Sequence, residues 1–121
     1  MILVITRFPL LSNTNPSEMS QAFAAAAPAF RGVPGLLQKH FLLAADCRSA
    51  GGVYVWETEA AARAFMHERV APMIREKFGV EPTIEFYDSP VSVEDARAGE
   101  SETQAVSRRQ RAIAPPFLDP K

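Results

Sequence analysis

The run GVYVWETEAAARAF, residues 52–65, changes its hydrophobic period within a few residues and so fixes a strand-to-helix junction. Val53, Tyr54, Val55 and Trp56 alternate small and large side chains, and a strand sends successive side chains to opposite faces. Thr58 is placed to cap the alanine-rich helix that comes next, with Glu59 near the positive end of its dipole. Ala62, Phe65, Met66 and Val70 form its buried stripe. Pro72 bends or restarts it, and MIREKF runs on to Gly79, a suitable C-terminal cap.

The same order stands at the start of the chain. Ile2 to Phe8, ILVITRF, is a β-rich run stopped by Pro9. SNTNPSE follows as a turn and cap cluster, with Pro16 suited to a first helical turn. Met19, Phe23, Ala26, Ala27 and Phe30 then recur at helical spacing over roughly 17–30, where Pro28 kinks or ends the helix. LLQKHFLLAA, 36–45, reads as a second strand, the loop DCRSAGG leads to a third at 53–57, and TIEFYD, 83–88, is the fourth. The order β-α-β-β-α-β specifies a ferredoxin-like α+β sandwich over residues 1–88, a four-stranded antiparallel sheet with two helices on one face.

Residues 89–121 differ: four prolines, ten charged residues and one aromatic describe an extended arm, flexible in part or packed on a partner subunit. Its RRQR, 108–111, belongs to a chain of net charge −1 and reads as solvated tail, not as a nucleic-acid grip. One cysteine, Cys47, gives no internal disulfide and no zinc motif, consistent with a reducing, cytoplasmic setting. MILVITRFPLL is interrupted by Arg7 and Pro9 and reads as a strand, not a leader. No run approaches the roughly 20 apolar residues of a membrane span.

Small valines suit close contact with helices, so Tyr54 and Trp56 are expected on the opposite face. An aromatic side chain buries on the order of 150–250 Å², worth several kcal/mol for the pair at about 25 cal/mol per Å². A second copy packed sheet to sheet would cover them, giving a homodimer with a small-ligand pocket on that face.

Among titratable groups, His40 has chemistry suited to proton transfer near neutrality. Lys39 alternates with it, so a regular strand cannot point both at one pocket. Tyr54 and Trp56 are candidate walls for a flat substrate, or interface packing. Arg7 is a candidate anchor for a substrate oxyanion, or a surface partner of Glu57 or Glu85. His67 lies in HER, not HExxH, and the glycines at 51 and 52 precede a strand, so neither a metalloprotease nor a phosphate loop is indicated.

The segment PGLLQKHFLLAADCRSAGGVYVWETEAAARAF resembles the YdhR-type "putative mono-oxygenase" family of the dimeric α/β-barrel superfamily. The shared features are Pro34-Gly35 opening strand 2, Lys39 within it, Gly51-Gly52 before Tyr54, the acidic alanine-rich helix, and Tyr87-Asp88 closing strand 4. Gln38 and Phe41 stand where the resemblance leads one to expect tryptophan. The resemblance covers about residues 2–95 and implies a homodimer with a sheet-face pocket. It further implies a mono-oxygenase needing no cofactor and acting on a small apolar or quinol-like molecule, with Lys39 or His40 as base. A ligand-binding or stress-associated homodimer without turnover, or a module whose sheet face is filled by its partner, are the other readings.

Overall fold

In the computed structural model, strand β1 (Ile2–Pro9) lies at the centre of the sheet between β3 (Ser49–Trp56) and β4 (Thr83–Asp88), and β2 (Leu36–Leu43) pairs with the outer side of β3. All three pairings are antiparallel, in the order β2-β3-β1-β4. The structure describes residues 1–11 and 14–94. Met1–Pro90 form one compact unit, and the arm expected over 89–121 lies outside the described residues beyond Glu94.

Helix α1 (Pro16–Ala26) begins where the Asn15 side chain accepts the Glu18 N–H at 2.8 Å, with Pro16 in the first turn. It tightens into a 3₁₀ turn, Ala27–Phe30, at Pro28. The second helical segment starts as expected, the Thr58 hydroxyl accepting the Ala61 N–H at 3.2 Å. It then passes without a break from α2 (Glu59–Phe65) through a π turn (Met66–Val70) into α3 (Ala71–Phe78). Pro72 explains the π turn. A proline inside a helix withholds one N–H and crowds the carbonyl four residues back, and a widened turn relieves both. Gly79, at φ 72°, closes α3 in the left-handed region.

The two faces of the sheet are divided by register. Val4, Thr6 and Phe8 of β1, Tyr54 and Trp56 of β3, and Ile84 and Phe86 of β4 face the helices. Leu3, Ile5, Val53 and Val55 face the other way. This corrects the expected placement of the aromatic pair: Trp56 is 0% and Tyr54 2% exposed, both inside the core with Met66, Val70 and Ile74. The reason is the composition of the helices. They carry large apolar side chains, among them Phe30, Phe65, Met66 and Ile74, and burying the two rings against these removes more apolar surface from water than burying Val53 and Val55 would. Trp56 meets Phe65 of α2 with ring centroids 5.5 Å apart. The pocket expected on the opposite face therefore has no aromatic pair to line it.

The third strand also starts earlier than expected, because Ser49 to Gly52 pair with β1, and Ala50 to Gly52 also with β2. Gly51 is required there. A Cβ at that position would run into the backbone carbonyl of Thr6, so only glycine allows β1 this close.

Candidate functional site

Strand β2 positions Lys39. It is an edge strand with an irregularity between Leu36 and Gln38, which leaves Leu37 exposed and sets the phase of the rest of the strand. In that phase Lys39 and Phe41 face the helices, and Gln38, His40 and Leu42 face away. The Lys39 ammonium lies over three rings, 3.8 Å from the centroid of Phe41, 4.3 Å from Tyr54 and 4.9 Å from Phe30. Phe30 comes from the 3₁₀ turn, Tyr54 from β3, and Phe23 of α1 stacks on Phe41 from behind at 5.0 Å.

Gly52 makes this arrangement possible. It lies opposite Phe41, and a Cβ there would overlap the Lys39 ammonium. The missing side chain is the space the ammonium occupies.

These residues border a cavity of about 250 Å³ between the sheet and the helices, lined also by Met73, Ile74 and Phe78 of α3. Its walls are apolar except for Lys39, Lys77 and the Tyr54 phenol, and no acidic residue lines it. Burial, with no counter-charge, lowers the Lys39 pKa from 10.5 to about 8. Burial likewise pushes the Tyr54 phenol up to about 12, with the Thr6 hydroxyl pulling weakly the other way. That contact falls short of hydrogen-bond geometry, and among the described residues Thr6 Oγ1 is buried without a hydrogen-bond partner, as is Trp56 Nε1. A lysine that is half deprotonated near pH 8 beside a phenol that stays protonated is a base next to a hydrogen-bond donor.

Of the residues singled out from sequence, Lys39 and Tyr54 meet at this cavity. Trp56 is packed behind it against Phe65. His40 is on the opposite face, its Nε2 3.3 Å from Gln38 Oε1. Arg7 is on that face too, exposed and in no ion pair among the described residues, beside a depression of about 540 Å³ that also includes Thr83 and Glu85. Phe23, Phe30 and Phe78 were not recognisable as cavity-lining residues, since helical spacing alone marks them as core. Gly52, which in sequence only preceded a strand, lies opposite Phe41 and leaves room for the Lys39 ammonium. No group of His, Cys, Asp or Glu that could hold a metal occurs among the described residues.

The model of the family described as "Putative mono-oxygenase ydhR" matches residues 5–87. The chain belongs to this family. The match includes every element that borders the cavity. No curated protein is significantly similar in sequence. Among solved structures, a protein of unknown function from Nitrosomonas europaea superposes with TM-score 0.62 at 14% identity, covering 77% of this chain and 92% of that one. SnoaB, a cofactor-independent oxygenase from Streptomyces nogalater, gives 0.57 at 18% identity, covering 78% and 97%. A monooxygenase from the ActVA-Orf6 gene of Streptomyces coelicolor, solved with nanaomycin D, gives 0.59 at 18%, covering 77% and 90%. At such identities the likeness shows the ferredoxin-like fold of these mono-oxygenases and nothing finer. No helix among the described residues is long and apolar enough to cross a membrane.

Proposed function

We propose that this member of the mono-oxygenase family is a homodimeric, cofactor-independent oxygenase of a small, flat, apolar or quinol-like molecule bound in the sheet–helix cavity. The observation that carries the reading is Lys39, an amine of lowered basicity held in an aromatic box at the cavity wall. Its neutral form takes an acidic proton from the substrate. The resulting carbanion gives its electrons to dioxygen and forms a carbon–oxygen bond. For an anthrone-like methylene the balance is CH₂ + O₂ → C=O + H₂O, with one oxygen retained and the other leaving as water with the proton returned by Lys39. The Tyr54 hydroxyl, protonated throughout the physiological range, donates to the developing substrate oxyanion. The apolar walls from α1 and α3 limit the water around the carbanion.

Support for cofactor independence is the likeness to SnoaB, and support for the dimer is the aliphatic strip Leu3, Ile5, Val53 and Val55 on the open face. Oxygen consumption over a panel of anthrones, quinols and phenols tests the reading. Uptake that rises with pH toward 8 and is lost in Lys39→Met is expected. Binding of the panel without uptake would replace it by the non-catalytic ligand-binding reading.

A further inference from the structure

The sheet–helix cavity has a neighbour. An outer cavity of about 390 Å³ lies on the other side of β2's start, lined by Ala27, Arg31 and Gly32 of the turn after α1 and by Leu36, Leu37 and Gln38. Phe30, Lys39 and Phe41 border both. The apolar inner chamber and the more polar outer one thus adjoin at the aromatic box, with the ammonium at their junction.

The charges are one-sided. Lys39 sits at the boundary, Arg31 in the outer chamber and Lys77 at the inner end, and neither lining includes an acidic residue. None of the three forms an ion pair among the described residues, where the ion pairs are Arg63 with Glu59 and Arg75 with Glu81. Cations left without counter-charge around a partly desolvated cleft create a field that favours an anion there. The two positions also differ in kind. The guanidinium has a planar fork that matches a carboxylate in two hydrogen bonds, whereas the ammonium lies against ring faces.

The sizes point the same way. An inner chamber of about 250 Å³ is below the range of about 300–1,000 Å³ usual for whole-ligand sites, so it takes only part of a ligand.

From this two-chamber geometry we infer that the site takes an amphipathic anion: an apolar one- or two-ring body in the inner chamber and a carboxylate or similarly acidic group reaching past Lys39 to Arg31. Arg31 is then the residue that selects for acidic substrates. The inference rests on the sheet–helix cavity being the substrate site, but needs no turnover there.

Binding of 2-naphthoate and of its neutral isostere 2-naphthamide, followed by ligand fluorescence at pH 7, tests it on the full chain. Wild type is expected to bind the carboxylate about tenfold more tightly than the amide. Arg31→Gln should erase that preference while leaving the amide affinity in place, and added salt should weaken only the carboxylate. Arg31 is exposed, so the variant should keep its fold, which circular dichroism checks. Equal binding of the two ligands by wild type, no binding of either, or a preference that survives Arg31→Gln would each overturn the assignment. Oxygen consumption is a separate readout. Anion preference without uptake removes the oxygenase reading alone, and uptake without anion preference removes this one alone.

Discussion

Lys39 and His40 are adjacent in the chain and stand on opposite faces of the sheet, the ammonium 3.8 Å from the Phe41 ring centre and the imidazole turned out beside Gln38. Only one of them can reach the sheet–helix cavity. A positioned general base contributes about 10²–10⁴-fold, so Lys39→Met should reduce oxygen consumption by at least about a hundredfold. His40→Ala should stay within about twofold of wild type, since the ring touches nothing in that cavity. Equal losses in the two variants would place the chemistry elsewhere.

Lys39 should also cost stability. Its pKa falls from 10.5 in the unfolded chain to about 8 in the fold. At about 1.36 kcal/mol per unit this is on the order of 3 kcal/mol at most. Partial exposure and the ring faces reduce it. Between pH 8 and pH 10.5 the unfolded chain binds more protons than the native one, so wild-type stability rises with pH across that window. Lys39→Met should therefore be more stable than wild type by about 1–2 kcal/mol at pH 7, with the gap closing toward pH 10.5. Urea denaturation at a series of pH values measures both curves. A gap that does not change with pH would mean that the ammonium is not desolvated.

What could be read from the residues was the order of elements, because each boundary has a local cause. Pro9, Asn15, Thr58, Pro72 and Gly79 act on backbone groups within a turn of themselves. The face chosen by Tyr54 and Trp56 was a different kind of question. Alternation shows that two side chains share a face but not which layer that face meets. Here the large apolar side chains of the helical segments, Phe30, Phe65 and Met66 among them, take up the aromatic pair. The lining of the sheet–helix cavity was half legible. Lys39 and Tyr54 lie on adjacent strands in matched register, whereas Phe23 and Phe30 reach the cavity only through the crossing of α1 over β2. The choice between Lys39 and His40 depended on the irregularity after Leu36, a one-residue change of phase with no marker in composition.

With the aromatic pair buried, the open face depends on aliphatic side chains for its cover. Val53 pairs with Ile5 and Val55 with Leu3, four half-buried side chains in two adjacent rows between His40 and Gln38 on one side and Glu85 and Tyr87 on the other. A second copy over this strip would seal the apolar centre and leave the polar flanks wet. Val55→Glu would put an unpaired carboxylate in the middle of that seal, which costs several kcal/mol when buried. Light scattering should then report two chains per particle for wild type and one for the variant, with circular dichroism unchanged. A wild-type monomer in dilute solution would remove the dimer.

The glycine pair should separate fold from site. Gly51 and Gly52 are neighbours, yet an added methyl meets different things at each. At Gly51 it would strike the Thr6 carbonyl, whose carbon would lie 2.8 Å away, with the Arg7 Cα at 3.1 Å. Both atoms are backbone of the central strand, so relief requires β1 and β3 to part. At Gly52 the overlap is with the tip of the flexible Lys39 side chain, and the next neighbours, the His40 carbonyl oxygen at 3.1 Å and a Tyr54 ring carbon at 3.3 Å, need give only slightly. Gly51→Ala should therefore cost about 3 kcal/mol or more in denaturant unfolding, and Gly52→Ala about 1 kcal/mol. The functional order should be reversed among the molecules that remain folded. Gly52→Ala expels the ammonium from its box toward water, so the Lys39 pKa returns toward 10.5 and the free amine at pH 8 becomes scarce. Rates of amine acylation at Lys39 across pH, read by mass spectrometry, would show the profile shifted upward in Gly52→Ala and unshifted in folded Gly51→Ala. An unshifted profile in Gly52→Ala would mean that the ammonium does not occupy the space above residue 52, and the aromatic box would lose its cation.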